Sequence, residues 1–76
     1  MPPRPLLFTN HALQRMNERG VTPEDVVSAM RRPAGDPRPG SAGNHVVVGY
    51  ASGGRLLRVV FASDGESVVT VIWVSS

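Results

Sequence analysis

His11, Arg15 and Arg19 recur every fourth residue within NHALQRMNERG, residues 10–20. On a helix that spacing stacks side chains along one edge. An imidazole exchanges protons near neutrality, and a guanidinium offers a planar fork of donors that fits phosphate. Such a row has the parts for moving a proton beside an anion. His11 also falls in the first turn, where unpaired backbone N–H groups attract negative charge. The competing reading is structural. On it the arginines are solvated along the edge of an amphipathic helix, with Glu18 or the acids of the next helix as partners, and His11 is a polar helix-end residue.

The row needs a helix to hold it. Thr9 or Asn10 is the expected N-cap, the helix runs to about Arg19, and Gly20 supplies a left-handed C-cap. At about 100° per residue, Ala12, Leu13 and Met16 form its buried stripe, with His11, Arg15 and Arg19 on the stripe's border. A second helix starts at Thr22, with Pro23 in its first position and Glu24 and Asp25 at its positive end. Val26, Val27 and Met30 share a face, and Pro33 ends the helix beyond Arg32. Residues 33–44, PAGDPRPGSAGN, read as a flexible loop, and residues 1–7 as an extended segment whose LLF packs under the first helix or starts a short edge strand.

From His45 the pattern changes to strands: HVVVGY, RLLRVVF and SVVTVIWV, with Asp64-Gly65 as a hairpin turn. The expected fold is α+β, a single domain over residues 1–76 with two N-terminal helices on one face of a three- to four-stranded antiparallel sheet. A two-residue turn pairs Phe61 with Val68, Val59 with Thr70 and Leu57 with Ile72 on one face. On the other, Val60 meets Val69, Arg58 meets Val71, and Leu56 meets Trp73. A four-residue ASGG loop adds Val46, Val48 and Tyr50 to the first face, and His45 and Val47 to the second. The first face seats the helices. The second is apolar yet carries Arg58, Trp73 and His45, so it should meet a second copy, another partner, a ligand or the folded-back N-terminus.

Composition narrows the classes. Cysteine is absent, which excludes disulfides and thiolate metal sites, and two histidines with scattered carboxylates make a poor metal centre. No cofactor is expected. All eight basic residues are arginine and the net charge is +2, which permits a nucleic-acid partner without demanding one. No apolar run reaches the length of a signal-peptide core or a membrane span. The chain therefore reads as a cytoplasmic protein or as a piece of a larger secreted one.

The run FTNHALQRMNERGVTPEDV, followed by a proline, a variable loop and GGRLLRVVF…VVTVIW, resembles a widespread family of small bacterial and archaeal domains of unknown function. The family's hallmark is H-A-x-x-R-M-x-E-R-G-[IV]-[ST], with a later L-R-V-V strand and a closing V-x-T-V strand. The resemblance covers about Phe8 to Trp73. The family is similar in layout to the barnase, colicin and RelE-like metal-independent ribonucleases, which occur alone, in toxin–antitoxin loci, or as the C-terminal part of large secreted toxins. The resemblance thus implies a toxin that cleaves RNA and is held by a cognate antitoxin or immunity protein. The matching positions are His11, Arg15 and Arg19 in the helix and Arg58 and Thr70 in the strands. The family's tyrosine or other polar residue near the end of the last strand has no match; Trp73 stands there, and an indole is neither acid nor base.

Metal-free RNA cleavage turns the substrate's 2′-hydroxyl into the nucleophile. It needs a base for that proton, an acid for the departing 5′-oxygen, and cations for the crowded phosphorane. His11 is the best acid or base here. Arg15, Arg19 and Arg58 would hold the charge, Thr70 would hydrogen-bond the substrate, and Trp73 or Tyr50 would stack an unpaired base. The second acid–base group is open, with His45 or a carboxylate to choose from. The alternative function is a non-catalytic, dimeric module that binds protein or nucleic acid through the second sheet face.

Overall fold

The computed structural model describes residues 7–64 and 67–74, apart from the side chain of Ser41. In chain order the elements are β1 (Leu7–Phe8), α1 (Asn10–Arg19), α2 (Pro23–Arg31), β2 (Arg38–Pro39), a 3-10 turn (Ser41–Gly43), β3 (His45–Tyr50), β4 (Leu56–Phe61) and β5 (Ser67–Trp73). The extended segment expected before Leu7, and Gly65 of the expected turn, lie outside the described residues. No helix among the described residues is long and apolar enough to cross a membrane.

Both helices begin and end as their sequences dictate. Thr9 caps α1 by accepting a hydrogen bond from the Ala12 amide at 3.0 Å, and Gly20 closes it in the left-handed region at φ 68°. Thr22 and Asp25 form a reciprocal capping box at the start of α2, with Pro23 inside the first turn. The Asp25 carboxylate also takes hydrogen bonds from the Ser52 amide and hydroxyl, which ties α2 to the β3–β4 loop.

The fold is α+β, but the sheet differs from the expected one. It has five strands in the order β1-β5-β4-β3-β2 and is mixed rather than strictly antiparallel. Leu7 pairs in parallel with Ser67 and Phe8 with Val68, so the last two residues of the LLF run supply an edge strand. At the other edge the segment expected to be loop contributes β2, where Arg38 pairs with Val46 and Pro39 with His45. Further along, the Ala34 amide donates to the Val48 carbonyl at 2.8 Å and the Tyr50 amide to the Arg32 carbonyl at 3.0 Å. The outer edge of β3 is thereby paired along its length.

The helices pack on the face that carries Leu57, Val59, Phe61, Val68 and Val71, which enclose Ala12, Met16, Val26 and Ala29. Gly49 lies under α2. A Cβ there would meet the Ala29 carbonyl oxygen at 2.0 Å, so only glycine allows this approach. Leu13, expected in the buried stripe of α1, is 47% exposed. The stripe is narrower than expected because α1 packs mainly on β5, at the side of the sheet.

Two register details decide the faces. Phe61 pairs with Val68 as expected, but a β-bulge next to it shifts the following pairs to Val60 with Thr70, Val59 with Val71, Arg58 with Ile72 and Leu57 with Trp73. The β3–β4 loop holds five residues, because Tyr50 pairs with Leu56 and Arg55 stays in the turn. Each one-residue change turns a strand over. Val71, Trp73, Val47 and His45 therefore join the helix side. Thr70, Ile72, Val46, Val48 and Tyr50 move to the open side, where Leu56, Arg58 and Val60 had been expected and remain.

Candidate functional site

The helix-one row exists, and its members differ. His11 is exposed in the first turn of α1, and the Arg15 Nε–H donates to His11 Nε2 at 3.5 Å. In that contact Nε2 is the acceptor. The other arm of Arg15 meets Glu18 at 2.8 Å, and Glu18 also accepts from Gln14. The hydrogen bond from Arg15 comes first in holding the Glu18 carboxyl below its ordinary range. Burial opposes it, and Gln14 assists. The partnership with Glu18 expected on the structural reading is thus present, and Arg15 bridges it to His11. Above His11, the Asn10 and His11 amides have no hydrogen-bond partner among the described residues.

Arg19 enters differently. Its guanidinium is exposed at the end of α1, while its carbonyl accepts the Trp73 Nε1–H at 2.6 Å. Trp73 packs against the core, and the Arg55 guanidinium lies 4.1 Å from its ring centroid. The indole expected on the free face is occupied as a clasp for the C-terminal end of α1. His45 sits opposite Phe61 on the helix side and is exposed at the end of β3. Neither residue shares a face with Arg58, contrary to expectation, because the bulge and the longer loop turned their strands over.

Arg58 and Thr70 both lie on the open face, on the far side of the sheet from α1. The structure brings His11 to Arg15, and Arg58 into the neighbourhood of Thr70, but it does not bring the two sets together. Tyr50 is on the open face, 39% exposed, with the Arg32 guanidinium 5.8 Å from its ring centroid.

Sequence reasoning missed Arg38. It belongs to the row Arg38–Val46–Val60–Thr70 across four strands, next to the row Val48–Arg58–Ile72. The segment Ala34 to Pro39 rises beside these rows and closes a groove of about 420 Å³ lined by Asp36, Arg38, Val46, Val48 and Arg58. The signal available was Pro39, a residue suited to an edge strand, within a stretch otherwise read as loop. Among the described residues no cluster of three or more histidines or acids is placed to hold a metal.

Residues 8–74 match the family described as Domain of unknown function (DUF4258). No curated protein and no solved structure matches the chain.

Proposed function

The chain belongs to this DUF4258 family, and on that premise we propose that it is a metal-independent endoribonuclease toxin, held in check by a cognate antitoxin or immunity protein. The observation that carries the reading is the His11–Arg15 pair, an exposed imidazole in hydrogen-bond contact with a guanidinium beside unpartnered helix-end amides. The likeness in layout to barnase, colicin and RelE-like ribonucleases is part of the same reading.

In this mechanism a phosphodiester settles at the start of α1 against the Asn10 and His11 amides. Arg15 exchanges its contacts with Glu18 and with His11 Nε2 for phosphoryl oxygens, which frees that ring nitrogen, and Arg19 adds charge along the same edge. His11 takes the proton of the 2′-hydroxyl or gives one to the departing 5′-oxygen. The 2′-oxygen bonds to phosphorus, the bond to the 5′-oxygen breaks, and a 2′,3′-cyclic phosphate remains. The complementary proton is carried by a second group, His45 or a carboxylate. Arg58 and Thr70, on the other side of the sheet, contact RNA only if the strand wraps the domain's edge.

That separation favours a second reading, a binding module that acts through the open sheet face. Induction of the wild type and of His11→Ala in a bacterial host tells the two apart. The ribonuclease reading expects growth arrest with fragmented RNA in the wild type and neither in the mutant, with both proteins soluble. Intact RNA and normal growth with soluble wild type would overturn it in favour of the module.

A further inference from the structure

The groove on the open face combines an aliphatic floor with two arginines that form no ion pair among the described residues. Val46 and Val48 form the floor, and Arg38 and Arg58 stand on either side of them, two strands apart and about 12 Å between Cα atoms. Both arginines are exposed, and the ion pair between Arg15 and Glu18 is the only one among the described residues. Asp36 is the single acid lining the groove. We propose that this groove binds an acidic amphipathic helix of a partner protein, with aliphatic side chains on Val46 and Val48 and carboxylates against Arg38 and Arg58.

Three features choose this occupant. The outer edge of β3 is already paired by β2 and by residues 32–34, so the partner lies on the face and does not add a strand to it. The floor is aliphatic, and Tyr50, the aromatic residue of this face, lies outside the groove's lining with Arg32 near its ring, so the groove offers no stacking platform for bases. A second copy of the chain would set arginines against arginines, and the chain already carries +2. An acidic partner neutralises the arginines, and its carboxylates can be gripped in a bidentate fashion. The proposal goes beyond the ribonuclease reading and holds whether or not His11 is catalytic.

The probe is a fluorescein-labelled helical peptide with a leucine stripe bordered by glutamates, followed by fluorescence anisotropy against the full chain. A glutamine-for-glutamate peptide and a labelled oligouridine RNA serve as comparisons. Arg38→Gln and Arg58→Gln should each weaken the acidic peptide by about tenfold or more, as loss of one charge-assisted hydrogen bond implies. Val48→Asp should abolish binding, and His11→Ala should leave it unchanged, which separates this proposal from the nuclease reading. Circular dichroism verifies that each variant folds. Equal binding of the glutamine peptide, absence of binding by the acidic peptide, or Arg58-dependent binding of the RNA in its place would each overturn the proposal. So would self-association removed by Val48→Asp.

Discussion

Asp25 shows how one residue serves two elements. Its carboxylate closes the capping box of α2 and holds Ser52 in the β3–β4 loop. Burial raises its pKa, but hydrogen bonds from Ser52 and Thr22 outweigh burial, so its carboxyl titrates below its ordinary 3.8. A group with a depressed folded pKa adds stability that is fully present above the unfolded value and is lost as pH falls through the folded one. Asp25→Asn leaves two N–H donors competing for one oxygen and should cost about 1–3 kcal/mol at neutral pH. In urea titrations at several pH values, the gap between wild type and mutant should hold above pH 3.8 and narrow below it. A constant gap would mean that the ionised carboxylate is not what holds the loop.

At the scale of elements, α1 is attached to the sheet at both ends. Thr9 accepts from the Ala12 amide, its hydroxyl donates to the Val68 carbonyl at 3.1 Å, and its amide donates to the same carbonyl at 3.2 Å. At the far end the Trp73 indole donates to Arg19. The row that carries His11 and Arg15 is positioned from these two points. Thr9→Ala removes the cap and one tie to β5 and should destabilise the domain by about 1–2 kcal/mol, whereas Thr9→Ser should lose little. Thermal melts followed by circular dichroism make the comparison. Equal losses in the two variants would shift the cause from the hydroxyl to the threonine methyl.

For the whole molecule the decisive property is which sheet face is closed. Val71 and Ile72 are neighbours, yet Val71 is fully buried under the helices and Ile72 is 37% exposed on the other side. Val71→Asp places a carboxylate in the core of a domain whose total stability is roughly 4–11 kcal/mol at this length. It should unfold the chain rather than merely break an assembly, as a free-face assignment of Val71 would have it. Ile72→Asp should remain folded, with a melting curve close to that of the wild type. Should Val71→Asp fold and Ile72→Asp not, the register of β5 would be wrong by one residue.

What the residues determined by themselves was local. Thr9, Gly20, Thr22 and Pro23 set the helix ends because caps and turns depend on neighbours a few positions away. The stacking of His11 on Arg15 follows from helical periodicity in the same way. The α+β order and the pairing of Phe61 with Val68 were legible too, since strand-forming runs and a hairpin signal lie next to each other in the chain. The tertiary structure decided the faces. Whether Val69 would bulge, and whether Arg55 would stay in the turn, depends on packing between segments distant in sequence. A side-chain period of two turns each such single-residue choice into an inversion. Hence Trp73 became a clasp for α1, Arg58 lost His45 as a neighbour, and Arg38 arrived beside it from a segment with almost no strand signal of its own.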